Sequence, residues 1–308
     1  MEILGVQMKI KEEDFSLEGF ERHIESFFKK TSNGDFIIFP EEAGVLPIFG
    51  SKNGRTLMEA TMKTINECSE KGNEVTIQDL FRRNTRKIES IFSLLSSKYS
   101  VYSLICGNFL YDDAVGVVNR SIVFDKAGKQ IFHQDKINLT REETELGIAP
   151  GVPDKVDYFV IDGVNFAVAI SLDAFVPSYV ARMTNSDVII QPDANPNVWN
   201  GFLENGRWQA EEWMDSAYYI AQRVDRVKYA INPMLTGDFY EINFQGQASI
   251  CKKAEGTDSR MGYVGNDLST GFHEIFEVKG YRKDERIERK EVLGKTLDFG
   301  EGMLSLSL

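Results

Sequence analysis

Three segments of the chain put a reactive side chain at the end of an apolar run. In Phe36-Ile37-Ile38-Phe39-Pro40-Glu41-Glu42 a four-residue apolar run closes on proline and a carboxylate. Such a run reads as a buried strand, and its end is where α/β proteins build pockets. In Gln134-Asp135-Lys136-Ile137-Asn138-Leu139-Thr140 a lysine sits among Phe132, Ile137 and Leu139. An ammonium held there beside a carboxylate stays charged and can face an oxyanion. Glu143, seven residues on, offers a second carboxylate. In Val168-Ala169-Ile170-Ser171-Leu172-Asp173 a small hydroxyl ends the run. That placement has the topology of a nucleophile elbow without the flanking glycines of G-x-S-x-G. Taken singly, each also fits a solvated turn. The chain has three histidines, His23, His133 and His273, and none is placed to complete a Ser-His-Asp triad.

The elements that must position these groups alternate along the chain. Residues 2–8 read as a strand. Apolar residues at 17, 20, 24, 27 and 28 give a helix over 17–30, and strand 36–39 follows, so the chain opens β-α-β. Residues 55–98 read as mostly helical, with Thr76 and Asp79 spaced as a helix start. Strands are expected at 101–106, 118–124, 130–132, 156–161, 164–170, 187–191, 227–232 and 242–251. Helices are expected at 177–186 and 208–222. No linker, repeat or composition shift divides residues 1–308, which predicts one domain.

Composition narrows the function. Thirty-five Lys and Arg against 47 Asp and Glu leave a net charge of −12, which argues against a nucleic-acid partner. Apolar residues at 42% and charged residues at 27% are ordinary for a globular chain. No run approaches the ~20 apolar residues of a membrane span, and no secretory leader is evident. Cys68, Cys106 and Cys251 are too few and too scattered for a disulfide framework or a zinc site. Each is expected to act as a small packed hydrophobe. These features fit a cytoplasmic protein without a metal centre, and no phosphate-cradling G-x-G-x-x-G implies an organic cofactor.

Together the segments resemble the nitrilase, or carbon–nitrogen hydrolase, superfamily over about residues 2–251. The resemblance rests on FPE at 39–41, DKINL at 135–139, ISLD at 170–173, LTREETELGIAPG at 139–151 and VIIQPDANP at 188–196, with NPMLTG at 232–237 and FQGQASI at 244–250 in order behind them. It implies an α/β fold built as a four-layer α-β-β-α sandwich, paired into homodimers across helices 177–186 and 208–222. It also implies cleavage of a small amide or nitrile through an acyl-enzyme, with amide the preferred substrate. Glu41 then takes the general-base role, Lys136 the oxyanion role, and Glu143 orients the lysine. Asp173 would pair with Arg182, and Asn195 and Trp199 in the loop 192–202 would contact substrate. The 50–98 region is longer than usual for the family and reads as a helical decoration. The mixed charge run at 281–294 reads as a solvated face.

Ser171 departs from the resemblance, which places cysteine there. A thiol ionises readily beside charged neighbours, whereas an alcohol needs a dedicated base. Glu41 is weak for that task. Ser171 is thus read as an inactivating replacement that holds substrate, as the mark of a non-catalytic binding or regulatory protein, or as a serine nucleophile. Acyl transfer to an amine is a further outcome for an acyl-enzyme.

Overall fold

The computed structural model describes residues 1–49, 56–69, 75–153, 155–254, 271–279 and 297–308. Its strands follow from apolar runs whose alternate residues go to different layers. Phe36 and Ile38 enter one core while Ile37 and Phe39 enter another. Phe166, Val168 and Ile170 join the first core, and Ala167 and Ala169 a third. A strand covered on both faces needs a continuous apolar run, and these have one.

The first sheet contains β1 (Glu2–Lys9), β2 (Phe36–Ile38), β3 (Tyr102–Asp112), β4 (Gly116–Phe124) and β5 (Gln130–Asp135). It also takes β9 (Asp193–Ala194), β11 (Met234–Phe239), β12 (Ile242–Phe244) and β15 (Gly302–Ser307). Its main path runs β12-β11-β1-β2-β3-β4-β5. One edge of β1 is shared: β15 pairs antiparallel with residues 2–7 and β11 parallel with residues 7–9. The second sheet contains β6 (Phe159–Ile161), β7 (Val164–Val168), β8 (Val188–Ile190), β10 (Tyr229–Asn232), β13 (Ser249–Lys252) and β14 (Phe272–Ile275). Its order is β14-β13-β10-β8-β7-β6.

The two sheets enclose one apolar core, to which Ile3, Leu104, Val188 and Ile250 all contribute. Helices α1 (Leu17–Phe28) and α3 (Ile77–Tyr99) cover the outer face of the first sheet, through Phe20, Ile24, Ile88 and Phe92. Helices α5 (Pro177–Val180) and α7 (Ala217–Arg223) cover the second, through Tyr179, Val180 and Ile220. The layers are therefore α-β-β-α, as the sequence led us to expect. Helix α2 (Leu57–Ser69) packs on α3, and α3 starts on the Thr76–Asp79 capping box.

Several expected elements differ in extent. The helix expected over 177–186 is α5 alone; Pro177 starts it, and Thr184-Asn185-Ser186 follows as a turn region. The helix expected over 208–222 is broken into α6 (Gln209–Glu212), a 3-10 turn at Trp213–Asp215 and α7. The break lies at Ser216, whose φ of −111° and ψ of −115° are not helical. The strand expected over 242–251 is two strands in different sheets. Strands β9, β11, β14 and β15 carry no separate expectation from the sequence. The charge run at 281–294, and residues 50–55 and 70–74 of the 50–98 region, lie outside the described residues. Among the described residues no helix is long and apolar enough to cross a membrane.

Candidate active site

Glu41 follows the end of β2, and its side chain lies over Gly107. A Cβ at position 107 would fall 2.4 Å from Glu41 Cγ, and the glycine has φ of +54°. Gly107 marks the irregularity of β3 between Ile105 and Asn108. That bulge makes room for the carboxylate. Lys136 leaves β5, fixed by its N–H to Asn119 O at 2.8 Å. Glu143 is delivered by a capping box: Thr140 caps α4 (Arg141–Glu145), Glu143 N donates to Thr140 Oγ1, and Thr140 N donates to Glu143 Oε2.

These three side chains meet in the interior. Lys136 Nζ lies 3.0 Å from Glu41 Oε1 and 2.9 Å from Glu143 Oε2, and none of the three is more than 4% exposed. Asn119 Nδ2 donates to both carboxylates, at 2.9 Å to Glu41 and 2.6 Å to Glu143. Burial pushes the Glu41 carboxyl up, against the pull of the lysine, and its two carboxylates hold the Lys136 ammonium above its ordinary range.

Ser171 opens a 3-10 turn, Ser171–Phe175, with φ of +47°. A left-handed serine at a strand end is strained backbone of the kind found at functional sites. Its N–H donates to Pro192 O at 3.0 Å. Two residues on, buried Asp173 ties this turn to the lysine segment. It accepts from Ile137 N at 3.2 Å and from Asn138 N and Nδ2, each at 2.7 Å. The expected Asp173–Arg182 pair is not formed; Arg182 Nη1 donates to Pro153 O, since backbone amides already satisfy the aspartate.

Two groups that sequence reasoning missed complete the site. Asn119 is one; its only signal is that it opens the polar stretch Asn119-Arg120-Ser121 inside strand β4. Asp193 is the other. It is fully buried where the chain crosses from β8 to β9, between the sheets, and accepts from Gln191 Nε2 and Asn232 Nδ2 on Oδ2. Its Oδ1 accepts no hydrogen bond from the described residues, and the nearby Ser171 hydroxyl favours its ionised form. Burial, then the charge on Glu41, nonetheless push this carboxyl well above the usual range. Glu42, at φ of +62°, is pushed up to about 8 by burial and then by Glu41.

The other candidates have settled partners. Trp199 is fully buried in the core between the sheets, 5.7 Å from the Trp213 ring, and donates from Nε1 to Gln247 Oε1. Asn195 is buried and bonded to Gln209 and Gln245. Val198 and Asn200 of the same loop line a 340 Å³ cavity with Lys9, Thr236, Phe244 and Asp298, and none of Glu41, Lys136, Glu143 and Asp193 borders it. Cys106 and Cys251 are buried and Cys68 is partly so; burial pushes the Cys106 thiol up, so it is held un-ionised. On α7, in the helical region expected to pair two subunits, Tyr219 is exposed, whereas Tyr218 packs on Phe272 and Ile220 on the second sheet's outer face. Among the described residues no group of three or more His, Cys, Asp or Glu is arranged to hold a metal ion.

No family model matches the chain, and no curated protein does. Solved structures do. A carbon–nitrogen hydrolase from Helicobacter pylori G27 superposes with a TM-score of 0.58 over 82% of each chain at 15% identity. An amidase from Nesterenkonia sp. AN1, carrying acrylamide added at its active-site cysteine, matches with a TM-score of 0.54 at 10% identity over 82% of this chain and 85% of that one. An alanine-for-cysteine mutant of the same amidase, in complex with butyramide, gives 0.54 at 12% identity over 82% and 83%. At these identities the likeness shows a shared fold.

Proposed function

We propose that the chain is an amidase-type carbon–nitrogen hydrolase of the nitrilase superfamily, with Ser171 at the nucleophile position and turnover near zero. The observation that supports this most is the buried Glu41–Lys136–Glu143 cluster, tied through Asp173 to the turn that begins at Ser171. In this reading the carbonyl carbon of a small amide is attacked at residue 171. The nucleophile's proton passes to Glu41 and then to the leaving amine, while the Lys136 ammonium faces the developing oxyanion. Water then attacks the acyl-enzyme, its proton passing through Glu41 back to residue 171. Oxygen in place of sulfur stops the first step, because Glu41 cannot readily deprotonate an alcohol. Asp193, pushed up by burial, is no better base at neutral pH.

The second reading is a non-catalytic binding or regulatory protein on the same fold. It is supported by the hydrogen bonds that Asn195 and Trp199 make within the protein, to Gln245 O and Gln247 Oε1. On either reading we place the chain in the cytoplasm as a homodimer of single-domain subunits, acting without cofactor on a small molecule.

The test is Ser171→Cys. The first reading expects residue 171 to be alkylated by iodoacetamide at least about tenfold faster than Cys106 or Cys251, with hydrolysis of small amides appearing alongside. Labelling no faster than at those buried thiols sinks it and leaves the binding protein. Turnover by the unaltered chain that Ser171→Ala abolishes would instead make serine the nucleophile.

A further inference from the structure

The amide reading leaves one buried carboxyl of the site without a task, that of Asp193. Its backbone is fixed on both sides: Asp193 N donates to Pro233 O at 3.2 Å, and β9 pairs it with Met234 of β11. Met234 belongs to the core between the sheets, while Ala194, the next residue along, belongs to the outer core. The Asp193 side chain therefore turns inward, between the sheets. There two amides hold one of its oxygens, since Gln191 Nε2 and Asn232 Nδ2 both donate to Oδ2. Oδ1 is left over, buried and accepting no hydrogen bond from the described residues. A buried acceptor in that state calls for an explanation.

The group that Oδ1 can serve is held beside it. Ser171 N donates to Pro192 O at 3.0 Å, which sets the serine against the residue just before Asp193. Its hydroxyl is near enough to favour the ionised carboxylate. Ser171 is held left-handed at the start of its turn and is only partly buried, whereas Asp193 is shut off from solvent. A reachable hydroxyl with a sequestered carboxyl behind it is how a nucleophile is placed on its base. Glu41 is less free for that task, because its Oε1 already accepts from Lys136 and Asn119.

We propose that Asp193 is the dedicated base of Ser171, and that the pair gives the chain a further activity, acyl transfer from small activated esters to the serine. This rests on the reading of residue 171 as the nucleophile position. The Ser171 Oγ–H proton passes to Asp193 Oδ1 and Oγ bonds to the acyl carbon. The bond from that carbon to the leaving oxygen breaks, and its electron pair departs on the leaving group. An activated ester needs no proton on that group, so one base completes the step, whereas a leaving amine needs a proton as well. The charged groups that face Asp193 are Glu41, after β2, and Lys136, after β5; the Cys106 thiol of β3 also feels it and stays un-ionised. Burial and Glu41 raise the Asp193 carboxyl well above its usual range, so the base is gained as pH climbs through that raised value, and the rate rises with it.

The test is acetylation of Ser171 by p-nitrophenyl acetate between pH 6 and 10, read at residue 171 by peptide mass after acid quenching. On the unaltered chain the rate is expected to climb about tenfold per pH unit until Asp193 is fully ionised. Asp193→Asn should remove the climb and cost at least about a hundredfold at pH 9. In the Ser171→Cys background, Asp193→Asn should not slow alkylation by iodoacetamide, because a thiolate needs no base and a carboxylate beside it only disfavours it. Slowing there would show that Asp193 only supports the turn, and overturns the proposal. A climb that survives Asp193→Asn overturns it too, as does the absence of acetylation at every pH. In each of those cases the amide-site reading still stands or falls on Ser171→Cys alone.

Discussion

Gly107 shows how one residue sets the geometry of the acid cluster. Its missing Cβ is the space into which Glu41 Cγ packs, and its φ is one that side chains rarely adopt. Gly107→Ala should therefore destabilise the fold by about 2 kcal/mol, from strain and a forced contact together. Urea unfolding reads this directly; a loss below half a kilocalorie would mean that Glu41 simply moves aside. Ser171 and Glu42 are the other two points where the backbone near the site turns left-handed. The chain holds all three by neighbouring hydrogen bonds, so the strain is confined to the site.

The elements around β1 are fastened by a second charged cluster. His23 on α1 donates to Asp14 Oδ1 through Nδ1 and to Glu301 Oε2 through Nε2, both at 2.7 Å, joining the helix to the lead-in of β15. Burial lowers its pKa, but the two carboxylates outweigh this and raise it to about 9. The same contacts, with Lys11, hold Glu301 down at about 2 against its burial. A raised histidine contributes stability that is full below about 6.5 and is lost as pH climbs through 9. A depressed glutamate contributes stability that is full above 4.5 and is lost as pH falls through 2. The clamp therefore works fully between about pH 4.5 and 6.5. The unaltered chain should lose about 2 kcal/mol relative to His23→Gln between pH 6.5 and 9.5. Denaturant titrations at the two pH values measure the difference; parallel curves would show that the clamp carries no charge-dependent stability.

At the scale of the whole molecule, the core between the sheets draws on both of them, so neither sheet keeps an apolar face covered without the other. One cooperative melting transition is expected for residues 1–308, and two resolved calorimetric peaks would contradict a single domain. Assembly is a separate matter. Tyr218 and Ile220 are spent inside the chain, so a dimer interface on the second sheet's helices would rest on Tyr219 and its surroundings. Sedimentation at micromolar concentration should give a dimer; a 34.9 kDa species would reject the pairing.

The sequence by itself determined the interleaved strands and helices and much of the site's cast, and its family resemblance implied the sandwich. Apolar runs such as 36–39 and 164–170 read as strands covered on both faces. Glu41 follows such a strand, Lys136 follows the edge strand β5, and the Thr140-x-x-Glu143 spacing carries the signal of a capping box, so local physics placed three of the charged groups. What only the tertiary structure decided are the contacts that local physics does not encode. Asp193 becomes a site group because the chain crosses between sheets there, and Asn119 because β4 lies across from a bulge in β3. Asp173 turns to the backbone of Ile137 and Asn138 because two segments 36 residues apart are packed together. Trp199 and Tyr218 are drawn into cores by surfaces far away in sequence. Burial and strand crossing are properties of the assembled chain, and no window of residues contains them.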